Sequence, residues 1–290
     1  MFDNIFAAIE KWMRELLTGM VESNMSTMFT DVNEKTSEIA AQVGRTPQNW
    51  NSSVFSMIQN LSESVVVPIA GIIITLVLCY ELILMLTERN NLHDVDTWMF
   101  FKYFVKAWVA IYLVSNTFTI TMAVFDVGQS VVNSASGIIN GETAIDVSSL
   151  SMQMQAAMAT MEIGELVVLA LETFLVSFCM KIMSVVITVI VYGRMIEIYL
   201  YTSLAPIPFA TMSNREWGHV GTNYFRGLFA LAFQAFLMMV CVAIYAALIS
   251  SVRISSNMHS ALIGVAAYTV ILCFSLMKTG SLSKQIFGSH

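Results

Sequence analysis

The chain has 290 residues, of which 57% are hydrophobic and only 12% charged, and its mean hydropathy is +0.71. A soluble domain carries about 25% charged residues, so there is too little polar surface here to cover a soluble globule. The net charge of −6 argues against a basic nucleic-acid-binding face on the chain as a whole.

In chain order, the first segment places Glu10, Lys11, Arg14 and Glu15 where a secretory signal would need an uninterrupted apolar core, so targeting is expected from later spans. Phe2, Ile5, Phe6, Ile9, Trp12, Met13, Leu16 and Leu17 recur at three- and four-residue spacing between those charges. The spacing predicts an amphipathic helix, lying in the membrane interface or against a partner. Residues 22–45 are polar and mixed in charge. Thr46-Pro47 reads as an N-cap and first helical position, predicting a helix that runs on into the first span. Residues 1–64 are thus expected as an extracytoplasmic tail ahead of a membrane domain, 65–290.

About 20 mostly apolar residues cross about 30 Å of hydrocarbon. Stretches of that kind are predicted at 65–87, 101–125, 166–192, 225–250 and 261–277, the last at the lower length limit. Between the second and third lies the longest connection, 126–165. Its first half is small and polar (Gly128, Ser130, Asn133, Ser134, Ser136, Gly137, Asn140, Gly141) and is expected to be loop. Its second half puts Leu150, Met154, Met158 and Met161 on one helical face, predicting a helix that leads into the third span. Such a methionine stripe usually packs against neighbouring helices.

Lys and Arg near span ends set orientation. Arg89, Lys102 and Lys106 flank the first connection, Arg194, Arg215 and Arg226 the third, and Lys278 and Lys284 the C-terminus. On the opposite side, 126–165 has none and 251–260 only Arg253. The N-terminus is therefore expected outside and the C-terminus in the cytoplasm. A sixth span at 195–212 would put Lys278 and Lys284 outside and include Glu197, Pro206 and Pro208, so five spans are preferred.

Cys79, Cys179, Cys241 and Cys273 all lie in apolar runs with no metal or redox spacing, and are expected as packing residues. His93, His219, His259 and His290 fall in loops or at the terminus. Nucleotide, zinc-protease and serine-nucleophile motifs are absent, so neither an enzyme nor a cofactor is expected. Charges inside spans are costly and therefore informative. Glu81 and Lys106 lie at equal depth in the first two spans, roughly 8–9 Å from the same boundary, and can pair. Glu172 and Lys181 are nine residues apart on the third span, on opposite faces, so each must meet another helix, another subunit or water.

The least ordinary stretch is Tyr199-Leu-Tyr-Thr-Ser-Leu-Ala-Pro-Ile-Pro-Phe-Ala-Thr-Met212. Pro206 and Pro208 cannot both lie within an unbroken helix, yet the segment is too apolar for a free loop. It is expected to re-enter the membrane or lie along its inner face.

Ala205-Pro206, Pro208, then Trp217 after a polar stretch, then Asn223 and Arg226 opening the next span, together resemble the TrbL-like family, the polytopic inner-membrane components of conjugative type IV secretion systems. The layout agrees over about 65–278, and the modest length resembles the versions on mobile elements of Gram-positive bacteria. The resemblance implies a scaffold or channel that assembles with itself and with other secretion subunits in the cell membrane. It would help to export single-stranded DNA bound to its relaxase, with energy from separate ATPases. A small-molecule or ion transporter is the alternative, weakened by an odd number of spans without an obvious inverted repeat.

Overall fold

The computed structural model describes residues 2–87, 97–139, 147–251 and 258–289. Arg89, His93, Asn140, Gly141, Arg253 and His290 lie outside the described residues. Among those described, all regular structure is helical: α1 (Phe2–Val43), α2 (Pro47–Trp50), α3 (Ser52–Leu61), α4 (Val67–Thr87), α5 (Thr97–Ser115), α6 (Thr117–Ile139), α7 (Val147–Met158), α8 (Ile163–Ser203), α9 (Pro206–Thr211), α10 (Gly218–Ser250) and α11 (Met258–Ile286). Five helical stretches among these residues are long and apolar enough to cross a membrane: Ser52–Thr87, Thr97–Ser115, Ile163–Ser203, Gly218–Ser250 and Met258–Phe287. The chain is an all-α, multi-pass membrane protein.

It divides into two compact units. The first comprises Met1–Val43, Ser134–Val191 and Met238–Lys278. Here α1 is one continuous helix of 42 residues, extending through the polar stretch that followed the predicted amphipathic segment. Its buried residues lie beyond the predicted amphipathic segment. Ile5, Phe6, Ile9, Trp12 and Leu16 are exposed, whereas Val21, Met25, Met28, Phe29, Val32 and Ile39 are buried. Met154 and Met158 of α7 are buried too, and α7 packs against α1. The methionine stripe is thus a packing face, filled by flexible thioethers that fit irregular gaps. A turn at Ala159–Glu162 separates α7 from α8, and Arg14 donates through Nη1 to Met161 O at 2.7 Å.

The second unit comprises Gly44–Asn133, Tyr192–Leu237 and Thr279–His290. Thr46 caps α2, its Oγ1 accepting from Asn49 N at 3.2 Å. The helix does not run on directly: Asn51 is extended and its side chain caps α3 by accepting from Ser53 N and Val54 N. Tyr199 holds α2 in place by donating to Pro47 O at 2.6 Å, and Trp50 meets Tyr192 edge-on. Between α3 and α4 the helix widens at Ser62–Val66, where Val67 N bonds to Ser62 O. Pro68 supplies the cause, since it has no N–H and its ring would press on the carbonyl four residues back, that of Ser64.

The predicted second span, 101–125, is divided by a turn at Asn116 into α5 and α6. Residues 126–139, expected as loop, are helix. Thr117, Phe118, Thr121, Val124, Phe125 and Val132 are buried along one face of α6. Small residues there serve close packing: a Cβ added to Gly128 would lie 2.9 Å from Ala232 O of α10. Small residues allow such approach between membrane helices, and so mimic a loop composition.

Candidate functional site

The family-like motif residues lie in the second unit, around the passage from α8 to α10. Ala205 N bonds to Thr202 O at 3.2 Å, and Ile207 N to Leu204 O at 3.2 Å. The helix therefore tightens and stops at Leu204–Ala205. Pro206 stands at the first position of α9 and Pro208 two residues on. In a first turn, backbone N–H groups have no intrahelical acceptor, so neither proline removes a helix bond there. The short helix is buried: Ala205, Phe209 and Ala210 pack with Ala70, Ile74 and Leu78 of α4, Ala110 and Val114 of α5, and Tyr224 of α10. The segment packs against the first two membrane-length helices instead of lying free.

Asn214 directs the chain back out. Its Oδ1 accepts from Glu216 N at 2.7 Å and Trp217 N at 2.8 Å, while Gly218 N bonds to its carbonyl. These bonds satisfy the orphan donors at the start of α10. Gly221 lets α10 pass close to this turn, because a Cβ there would lie 2.5 Å from Pro208 O. Next, Tyr201 and Tyr224 stack with centroids 4.4 Å apart and planes within 8°. Tyr224 donates to Tyr201 O at 2.7 Å, and Tyr201 donates to Tyr224 O at 3.2 Å. The pair clamps the end of α8 to the start of α10. Tyr201 O needs this donor because Ala205 N, its helical partner four residues on, turns to Thr202 O instead.

The same turn meets the first two spans. Lys106 Nζ donates to Glu81 Oε2 at 3.0 Å, and Arg215 N donates to Glu81 Oε1 at 2.7 Å. Tyr80 lies beside Glu81, with its hydroxyl 3.3 Å from both Glu216 carboxylate oxygens. Trp217 stacks on Tyr80 at 5.9 Å and 7°. Glu81 is thus a junction joining α4, α5 and the turn. Asn223 is half-buried and Arg226 is exposed on α10.

The other two charges, Glu172 and Lys181, belong to the first unit. Glu172 bonds to His259 Nδ1 of α11, so His259 is not the solvated loop residue its sequence position suggested. Lys181 is exposed between Phe178, Ile182 and Val185 of the same helix and has no ion-pair partner among the described residues.

Sequence reasoning missed Asn214, Tyr201, Tyr224 and Gly221. An Asn ahead of a helix, here four residues before Gly218, is a capping signal and could have been found. The tyrosine clamp could not, since both partners look like ordinary interface aromatics. Arg194, counted as a flanking charge, is buried; its Nη2 lies 3.4 Å from Leu231 O and its Nε has no partner.

A family model described as TrbL/VirB6 plasmid conjugal transfer like protein matches residues 32–206. The match takes in α2 to α8 and ends at the first residue of α9. No curated protein and no solved structure matches the chain.

Proposed function

The chain belongs to the TrbL/VirB6 plasmid conjugal transfer-like family, and we propose that it is a membrane-embedded scaffold or channel component of a conjugative type IV secretion machine. Its cargo in this reading is single-stranded DNA carried with the relaxase. Other secretion subunits surround it, copies of itself among them, and separate ATPases supply the energy. The cell membrane of a Gram-positive host is the proposed setting. The observation that carries the reading is a family match running through three of the five membrane-length helices and ending where the helix breaks at Pro206.

Mating assays test the proposal. Donor cells lacking the gene should lose DNA transfer, keep normal growth and solute uptake, and recover transfer on complementation. Undiminished transfer without any copy of the protein would end the secretion reading, and a solute-uptake defect in its place would favour the transporter. A Pro206→Ala/Pro208→Ala protein should insert normally, its span hydropathy being hardly changed, and transfer poorly.

A further inference from the structure

We infer that the exposed face of α1 from Ser23 to Ser37 meets water at membrane depth, as part of the wall of a hydrated path. Every residue concerned belongs to the first unit. Arg14 donates to Met161 O at 2.7 Å, just ahead of α8. Further along, Leu16, Gly19 and Ser23 share a cleft with Phe174. Lys35 Nζ donates to Thr188 Oγ1 at 3.2 Å, and Asp31 lines a small cavity with Ser184 and Ile187. α1 therefore runs beside α8 and parallel to it, over about 30 Å from Arg14 to Lys35.

The surface of α8 marks the depth of this stretch. Val167, Leu171, Phe174, Phe178, Val185 and Val189 are large, apolar and exposed. From first to last they cover about 33 Å of helix, which matches about 30 Å of hydrocarbon. Such a surface faces lipid. At the same levels α1 presents the opposite chemistry, so part of the expected extracytoplasmic tail lies at span depth. Ser23, Thr27, Thr30, Glu34 and Ser37 are exposed and, at about 100° per residue, fall within a sector of about 80°. Val21, Met25, Met28, Val32 and Ile39 fill the opposite sector and are buried.

Hydroxyls can face hydrocarbon by bonding back to their own helix, as Thr27 does to Ser23 O at 2.8 Å. Glu34 has no such outlet. Its carboxylate has no hydrogen-bond or ion-pair partner among the described residues, and the adjacent Lys35 is engaged by Glu38 and Thr188. Ionisable groups at that depth turn to water or to a polar interior. Direct packing against the same face of a second copy would set Glu34 against Glu34, which leaves water. Lys181 agrees with this. It lies three residues before Ser184 and seven before Thr188, on the row of α8 that meets α1, so its exposed ammonium stands at the seam beside the polar face. One body thus turns an apolar face and a polar face outward at one level, as a channel wall does. Copies of this chain set about an axis would present equivalent faces to it and keep lipid out.

The test is thiol labelling in membranes of donor cells that carry the complete transfer genes, with the protein otherwise free of cysteine. Thr27→Cys, Thr30→Cys and Glu34→Cys should react with a charged thiol reagent roughly a hundredfold faster than Leu171→Cys and Val185→Cys, because the reactive thiolate forms in water and not in hydrocarbon. All five side chains are exposed, so folding should tolerate the changes, and labelling after unfolding in detergent verifies each thiol. Stripe thiols as slow as those on α8 would overturn the proposal, the face then being covered. Thiols on α8 as fast as those on the stripe would also overturn it, by placing this level in bulk water. Labelling does not read DNA transfer, so the two proposals fail separately. A slow stripe in cells that need the gene for transfer ends this one alone, and a fast stripe in cells that transfer without the gene ends only the secretion reading.

Discussion

The junction at Glu81 gives a prediction whose size follows from its geometry. The Glu81 side chain is 15% exposed and that of Lys106 43%, so the pair is only partly enclosed by protein and its attraction is set at about 1 kcal/mol. The bond from Arg215 N to Glu81 is less exposed to screening and charge-assisted, worth about 1.5–3 kcal/mol. Glu81→Gln keeps an acceptor for Arg215 N but loses the charge and the pair, and is expected to cost about 2 kcal/mol. Lys106→Met loses only the pair, about 1 kcal/mol. The double variant should also cost about 2 kcal/mol and not the sum of about 3, because the pair is lost only once. Unfolding of the purified protein in mixed micelles, titrated with a denaturing detergent and followed by tryptophan fluorescence, measures all four corners of this cycle. Costs that simply add, to within about 0.3 kcal/mol, would show that the two residues are not coupled. A Lys106→Met cost above that of Glu81→Gln would show that the pair, and not the turn, dominates the junction.

Gly221→Ala should destabilise by about 1–3 kcal/mol, because the added carbon meets Pro208 O and Met212 Cγ; trimming Met212 to Ala should relieve only part of the loss on the same unfolding curve. Tyr224→Phe should cost about 1 kcal/mol or somewhat more, and Tyr201→Phe less, in line with bonds of 2.7 and 3.2 Å; equal losses would deny the clamp its asymmetry. In intact cells lacking the native cysteines, Ser134→Cys should react with an impermeant thiol reagent and Gln285→Cys should not, both side chains being exposed. Labelling at Gln285→Cys alone would invert the orientation expected from the Lys and Arg distribution.

What could be read from the sequence divides along physical lines. Hydropathy suffices to count five spans, because crossing hydrocarbon needs long apolar runs whatever surrounds them. Equal depth suffices to suggest Glu81 with Lys106, because a buried carboxylate has few alternatives at that level. Small residues at 126–139 carry two meanings, flexible loop or close helix packing, and only the proximity of Ala232 to Gly128 chooses between them. On α1 the large apolar residues near the N-terminus form the more obvious stripe, yet the methionines at 25 and 28 are the ones buried. Hydrophobicity reports that a face wants cover, not which partner supplies it. Arg194 shows the limit of charge counting: the tally reads it only as a flanking charge, while folding buries it against a backbone carbonyl. Tyr201 with Tyr224, and Glu172 with His259, are non-local pairings, which no local pattern announces.

The passage from α8 to α10 combines both kinds of information. A proline in a helix interior costs about 3 kcal/mol, so carrying α8 straight through Pro206 and Pro208 would cost about 6 kcal/mol. In the first turn of a separate helix that penalty largely vanishes, since the N–H that proline lacks would have been unpaired there anyway. The sequence therefore dictates that α8 stops before Pro206, and this much is local. It does not dictate where the chain goes next. Direction is set by the burial of Phe209 and Ala210 against the first two spans, by the Asn214 cap and by the tyrosine clamp. The clamp also donates to Tyr201 O, a carbonyl exposed by the break itself. Stopping the helix is thus the task of the prolines, and holding its end the separate task of Tyr201 and Tyr224, 23 residues apart in sequence. A substitution that removes the clamp while leaving the prolines should loosen the return of the chain without lengthening α8.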